Sequence, residues 1–281
     1  MEDPPTLLSL LRRSTDYLAQ RGIENARREA EWLFVDRLKL SRLDLYTRFD
    51  MLLDEHETGA LREVIVRRGR REPLAYILGT QPFCGLELTV TPAVLVPRPE
   101  TEELVALVMA EVADCSSPMR LIDVGTGSGA IALALKQALP KAEVWAVDIS
   151  EAALAVAQSN AERHQLLCHF EVSDLLTAAP GPWQVVAVNL PYIGEDERDR
   201  CDPELAFEPS LALFSGADGL DLCRRLLAQL VDSLAPGGCA WLEHGDLQAA
   251  ALAALCPPLG LASRCQQDQQ GKDRFTRIWV S

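Results

Sequence analysis

Histidine, methionine and aromatic residues are scarce in this 281-residue chain: four histidines, four methionines, and 6% Phe, Trp and Tyr. The histidines His56, His164, His169 and His244 are scattered and show no metal-ligand spacing, so no metal site is expected. The eight cysteines (Cys84, Cys115, Cys168, Cys201, Cys223, Cys239, Cys256 and Cys265) contain no CxxC pair. That argues against a zinc ribbon or a thioredoxin-type centre and leaves them as small, reduced core residues. No stretch approaches the ~20 apolar residues of a membrane helix. The start, Met1-Glu2-Asp3-Pro4-Pro5, lacks the basic-then-apolar layout of a secretory leader. A cytoplasmic protein with no membrane partner is therefore expected. Positive charge is short as well, with 27 Lys+Arg against 41 Asp+Glu and a net charge of −14. Polyanion binding depends on Lys and Arg displacing counterions, so a stable nucleic-acid partner is not expected. What is present, 48% hydrophobic and 24% charged residues, suffices for a packed core and excludes wholesale disorder. The length suggests two domains, or one large domain with an appendage.

Residues 5–80 read as helix throughout. Leu7, Leu8, Leu11 and Leu18, then Ala26, Ala30, Leu33 and Phe34, recur at three- and four-residue spacing, and Leu61, Val64 and Ile65 continue the pattern. Residues 1–80 are thus expected to form a small helical domain without catalytic groups. It ends near the basic run Arg67-Arg68-Gly69-Arg70-Arg71, read either as a solvated helix face or as a contact for RNA or an acidic partner. Residues 81–97 mix alternation at Phe83, Leu86, Leu88, Val90, Val94 and Val96 with Gly85, Pro92 and Pro97, which suggests a linking β-hairpin. Residues 98–281 alternate short apolar strands (121–124, 144–147, 170–172, 185–188, 240–243 and 274–280) with helices, including 130–139 and 151–164. This is the pattern of a mostly parallel α/β sheet covered on both faces.

Asp123-Val124-Gly125-Thr126-Gly127-Ser128-Gly129 lies at a strand-to-helix junction. Glycines there permit a tight turn and close approach of a ligand, and the helix start offers free N–H groups. Asp148 ends the next strand, where a carboxylate can accept hydrogen bonds from both hydroxyls of a ribose. An adenosine-containing cofactor follows, although Gly125, Gly127 and Ala130 also satisfy the relaxed nicotinamide fingerprint. Two features favour S-adenosylmethionine. Asp123 can act on an ammonium group but opposes a pyrophosphate, and Ser173-Asp174 places an acceptor near an adenine amino group.

The most specific feature is Asn189-Leu190-Pro191-Tyr192 at the end of the fourth strand. Tetrapeptides of the Asn-Pro-Pro-Tyr type mark methyltransferases acting on planar nitrogens, either a base's exocyclic amine or a carboxamide. The lone pair of such a nitrogen is delocalised, so orientation is needed. An Asn oxygen and a backbone carbonyl can accept both N–H bonds, and Tyr can cover the flat face. No general base is evident. With this motif the chain resembles the protein-(glutamine-N5) methyltransferases that modify peptide-chain release factors. The resemblance covers nearly the whole chain. It includes the N-terminal helices, Arg71 to Gly79, Val96-Pro97-Arg98-Pro99-Glu100-Thr101-Glu102, Asp123 to Gly129, Asp148, Asn189 to Tyr192, Phe207-Glu208-Pro209, Glu243-His244-Gly245 and Gly271 to Arg274.

The resemblance implies a Rossmann-like, seven-stranded, mostly parallel methyltransferase sheet, S-adenosyl-L-methionine as donor, and the glutamine of a Gly-Gly-Gln loop in a class I release factor as acceptor. Carried over by position, the cofactor residues are Gly125, Thr126, Gly127, Ser128, Gly129, Asp148, Leu175 and Asn189, with Arg98, Glu100 and Thr101 near the methionine end; Asp123 and Asp174 join them from the strand-end pattern above. Asn189, Leu190, Pro191 and Tyr192 are the catalytic and substrate-binding set, and the helical domain recognises the release factor, with the enzyme a monomer. Leu190 stands where the family usually has proline, which costs stiffness but keeps the carbonyl. Leu175 stands where some members carry an aromatic. Asn-Leu-Pro-Tyr also resembles the ribosomal-RNA adenine dimethyltransferases, so adenine-N6 methylation and non-catalytic cofactor binding remain rival readings. His244 reads as structural. The acidic stretch 195–200 reads as a solvated loop or as a lip for a basic protein. Residues 1–90 carry 14 basic and 15 acidic side chains and residues 91–281 carry 13 and 26, so the acidity sits in the second part.

Overall fold

The computed structural model describes residues 4–113, 119–179 and 181–281; Met1-Glu2-Asp3 and Cys115 lie outside the described residues. The chain forms two compact units, Met1–Gly79 and Thr80–Ser281.

The first unit holds helices α1 (Leu7–Gln20), α2 (Ala26–Leu38), α3 (Asp44–Thr47), α4 (Glu55–Gly69) and α5 (Leu74–Leu78). Thr6 caps α1, and Asp54 with Glu57 forms a capping box on α4. Leu7, Leu11, Leu18, Leu33, Phe34, Leu61 and Val64 build its core. The expectation of helix throughout needs correction at 39–43 and 48–54. Lys39 adopts a left-handed conformation that stops α2, and Ser41 N–H and Oγ both turn onto Asp44 Oδ2. Neither reading of the basic run holds for all of its arginines. Arg67 makes a two-pronged pair with Glu72, Arg68 is buried against Glu29, and Arg71 donates to the Gly22 carbonyl. Three of the four arginines therefore bind groups of their own unit.

The second unit opens with the antiparallel hairpin β1 (Thr80–Phe83) and β2 (Leu86–Thr89), and residues 90–97 are irregular rather than strand. After α6 (Pro99–Glu111) the chain alternates β3 (Arg120–Val124), α7 (Ala130–Ala138), β4 (Glu143–Asp148), α8 (Glu151–His164), β5 (His169–Val172) and β6 (Trp183–Val188). It continues through α9 (Asp221–Ser233), β7 (Leu234–Glu243), α10 (Ala249–Leu255), β8 (Leu261–Gln267) and β9 (Asp273–Val280). The seven-stranded order is β5-β4-β3-β6-β7-β9-β8, and β9 runs antiparallel to both of its neighbours. Strand residues alternate between two cores. Leu121, Val185 and Ala187 pack on the face covered by α6 and α7, whereas Ile122, Val124, Val186 and Val188 pack on the α9 and α10 face.

The sequence pattern did not reveal β8, because only Leu261 in it is fully buried and the rest of the strand edges the sheet. The cysteine expectation is only partly met. Cys223, Cys239 and Cys256 are buried, Cys84, Cys168 and Cys201 are half-buried, and Cys265 is exposed on β8; all seven are free thiols. No helix among the described residues is long and apolar enough to cross a membrane.

Candidate active site

The strand order reverses between β3 and β6, and a cleft opens there at the carboxyl ends of the strands. Its cavity volume is about 250 Å³. The turn after β3 forms one wall. Gly125 N–H and Thr126 N–H both donate to the Val147 carbonyl, at 2.9 and 3.0 Å, which pins the turn to β4. Gly125 has φ +76°, and a Cβ there would stand 3.0 Å from Leu190 Cδ2, so only glycine fits. Gly127 N–H donates to Asp148 Oδ2 at 2.9 Å, and Asp148 lines the cleft.

Asp123 lies beneath this turn, fully buried and outside the cleft lining. Its Oδ2 accepts from Thr126 Oγ1 at 2.7 Å and from Ala132 N–H at 3.1 Å, while its Oδ1 has no partner. Burial pushes its carboxyl up to about 7. Gly129 is likewise a packing residue, closely backed by Ala157 and Leu133.

The tetrapeptide follows β6. Asn189, Leu190 and Pro191 line the cleft, and Tyr192 is half-buried just beyond it. Asn189 Nδ2 donates to Thr101 Oγ1 at 3.0 Å, and that hydroxyl donates to Glu243 Oε2 at 2.8 Å. Leu190 is buried in the core under the turn, so the residue in the proline position has a packing role beyond stiffness. The Tyr192 carbonyl is held by Gln248 Nε2 at 2.8 Å, and burial pushes the Tyr192 phenol up to about 12. His244 is fully buried, with Nδ1 on the Gly245 carbonyl and Nε2 on Thr276 Oγ1, and burial lowers its pKa.

Of the remaining expected residues, Arg98, Thr101, Asp174 and Leu175 line the cleft, whereas Glu100 lies in the first turn of α6 outside the lining. Arg98 is paired with Glu208, whose second oxygen accepts from Val96 N–H at 2.9 Å. Asp174 is paired with Arg225 of α9, a lining residue that the sequence reading missed. Nothing local in α9 marks Arg225; only the fold brings it 51 positions back to Asp174. Leu175 holds φ +57°, uncommon for a bulky residue, and Ser173 Oγ donates to its carbonyl at 2.8 Å.

The donor set discriminates between cofactors. Both lining guanidiniums are already paired with carboxylates, which is a poor arrangement for a pyrophosphate. Asp148, the carboxylate that lines the cleft at the strand end, suits a ligand that carries ribose hydroxyls and positive rather than negative charge. S-adenosylmethionine, a sulfonium with an ammonium group, meets that requirement.

Fold and site together define an S-adenosylmethionine-dependent methyltransferase, and a methyltransferase-domain profile matches residues 116–189. The PrmC N-terminal domain profile matches residues 9–79. The release factor glutamine methyltransferase of Geobacter sulfurreducens is 40% identical over 96% of this chain and 95% of its own length. That of Deinococcus radiodurans is 37% identical over 96% and 97%. The chain belongs to the release factor glutamine methyltransferase family. At the level of fold alone, it is similar to the hMettl16 catalytic domain solved in complex with MAT2A 3'UTR hairpin 6. The TM-score is 0.57 at 15% identity, covering 82% of this chain and 84% of that one. A Pyrococcus furiosus methyltransferase gives a TM-score of 0.53 at 20% identity, with 69% and 88% covered.

Proposed function

We propose that this enzyme methylates the side-chain amide nitrogen of the glutamine in the Gly-Gly-Gln motif of a class I peptide-chain release factor. The observation that carries this reading is the Asn189-to-Tyr192 segment bordering a cleft whose other wall is the glycine turn. S-adenosylmethionine, when bound, would supply a sulfonium methyl to the amide nitrogen in line, the C–S bond breaking as the N–C bond forms and S-adenosylhomocysteine leaving as the thioether. Asp148 accepts from the ribose hydroxyls, and Gly125 to Ser128 let the backbone approach the ligand closely. Asn189 Oδ1 accepts one N–H of the glutamine amide and the Leu190 carbonyl accepts the other, which aims the nitrogen and favours charge developing on it. Tyr192 packs over the amide plane. Burial holds the Tyr192 phenol protonated, at about 12, so it is no base, and the proton of the methylated amide is released to water.

The helical first unit recognises the body of the release factor, a role its PrmC N-terminal domain match supports. The exposed acidic turn Glu195–Arg200 after the tetrapeptide greets a basic protein surface. The enzyme acts as a cytoplasmic monomer without a stable nucleic-acid partner. The test is incubation of the full chain with a release factor and methyl-labelled cofactor, followed by peptide mapping. Label should appear on the Gly-Gly-Gln peptide, and Asn189→Ala should abolish transfer while cofactor binding is weakened but kept. An unlabelled Gly-Gly-Gln peptide, or near-normal turnover by Asn189→Ala, would sink the reading.

A further inference from the structure

We propose that Glu243 and Thr101 are positioning residues that fix which end of the Asn189 amide faces the substrate, an assignment that rests on the methyl-transfer reading above. A carboxamide is almost symmetric in shape, so packing alone does not distinguish its oxygen from its NH2 group. The two orientations are opposite in chemistry. With Oδ1 toward the substrate, Asn189 accepts from the glutamine NH2. With Nδ2 toward it, two donors face each other and the substrate is repelled.

The hydrogen-bond chain behind Asn189 makes the choice. Glu243 ends β7 and is 3% exposed. Its Oε2 takes the single hydroxyl proton of Thr101 over 2.8 Å. A hydroxyl that has given away its proton offers only lone pairs to its next neighbour. Thr101 Oγ1 therefore faces the Asn189 NH2, which it meets at 3.0 Å, and Oδ1 is left at the other corner of the planar amide. The direction of the whole chain is set by Glu243 in its ionised form, which can only accept. Burial pushes the Glu243 carboxyl up to about 7, and the Thr101 hydroxyl, Arg274 and the Asn189 amide all act to keep it charged. The three residues come from β7, α6 and the end of β6, separated by 142 and 88 positions, so the arrangement exists only in the folded unit. Thr101 is itself 4% exposed, with its hydroxyl committed on both sides.

The experiment uses the full chain carrying Thr101→Val, Thr101→Ser or Glu243→Gln. Three quantities are read: single-turnover methyl transfer to a release factor, S-adenosylmethionine affinity by calorimetry, and water exchange of the Asn189 side-chain amide protons by 15N NMR. The Asn189 resonance is assigned by its loss in Asn189→Ala. In the wild type, one Nδ2 proton should exchange slowly. Thr101→Val keeps the shape and removes the hydroxyl, so that protection should drop to what the direct contact of the Asn189 amide with Glu243 supplies. Transfer should then slow by about 100-fold, the scale of a misplaced reacting group, while cofactor affinity and KM for the release factor hold. Thr101→Ser restores the hydroxyl and should recover both the protection and most of the rate. Glu243→Gln can accept or donate and should fall between the two.

Wild-type transfer rates in Thr101→Val, or no rescue by Thr101→Ser, would overturn the assignment. So would cofactor affinity falling in step with rate, because Thr101 would then serve the cofactor. Should the wild type methylate no release factor, the proposed reaction fails instead, and the exchange measurement still decides whether the amide is oriented.

Discussion

The backbone N–H of Gly127 donates to Asp148 Oδ2 over 2.9 Å, joining the turn after β3 to the end of β4. Asp148 Oδ1 is held in turn by Ser150 N–H at 2.9 Å. Two backbone donors thus fix the carboxylate plane, and each oxygen keeps a lone pair for a ligand hydroxyl. One side chain thus shapes the glycine turn while it keeps acceptor capacity on the cleft side.

Replacing Asp148 by Ala should therefore lower S-adenosylmethionine affinity by about 100-fold. Two hydrogen bonds to a charged acceptor are lost, each contributing about 1.5 kcal/mol. Asp148→Asn keeps one acceptor oxygen but leaves one backbone donor facing an NH2 group, so its loss should be smaller. Titration calorimetry decides. Wild-type affinity in both variants would remove Asp148 from the binding site.

Asp123 should make stability depend on pH in the sense opposite to a salt-bridged carboxylate. Its folded-state pKa, raised by burial to about 7, lies above the ordinary aspartate value of 3.8. Between those values the folded state binds the extra proton, so this group's contribution to stability falls as pH rises from about 4 through 7. Asp123→Asn can keep both hydrogen bonds at the Oδ2 position, from Thr126 and Ala132, and cannot ionise. The variant should gain denaturant resistance relative to wild type at pH 8 and much less at pH 5. It should also bind the cationic cofactor about tenfold more weakly, since a charge near the site is gone. Equal pH dependence in the two proteins would contradict the assignment.

The parts of this site that lie within a few residues of one another were legible in the sequence. The short apolar strands, the glycine turn, Asp148 and Asn189 to Tyr192 are each encoded by a local pattern that survives without knowledge of the fold. The parts that join distant segments were not. Val96 and Glu208 stand 112 positions apart, and Thr101 and Glu243 stand 142 apart. Glutamate in either place reads equally well as a solvated charge until the chain is folded. Strand β8 escaped for a related reason: with one buried residue it carries no alternating pattern, and it pairs only because β9 offers an edge.

The Glu208 contacts lead to a test of how the loop before α6 is held. The Glu208 side chain is fully buried and serves the Arg98 guanidinium and Val96 N–H together. Glu208→Ala strands both donors, and should destabilise the second unit by about 2 kcal/mol. That is less than the 3–5 kcal/mol of a fully buried pair, because Arg98 is 34% exposed and can turn to water. Chemical denaturation of the single variants and of the double variant with Arg98→Ala measures the coupling. Strict additivity of the two losses would show that the pair contributes nothing of its own.

Leu190 separates the side chain from the backbone at the most specific position of the chain. Its carbonyl is the proposed second acceptor for the substrate amide, while its side chain is buried and would meet any Cβ placed on Gly125 at 3.0 Å. Leu190→Ala keeps the carbonyl, keeps Pro191 after it, and opens a cavity beneath the glycine turn. The cost should be about 2–4 kcal/mol of stability, as for other buried leucines cut to alanine. Cofactor affinity should weaken as the turn loses its support. Transfer at saturating cofactor, however, should remain far above that of Asn189→Ala, because the acceptor that orients the substrate is still present. Denaturant midpoints and single-turnover rates measured on the same preparations distinguish these effects. A transfer defect as deep as that of Asn189→Ala would mean that the leucine side chain, and not its carbonyl, sets the geometry of the reacting amide.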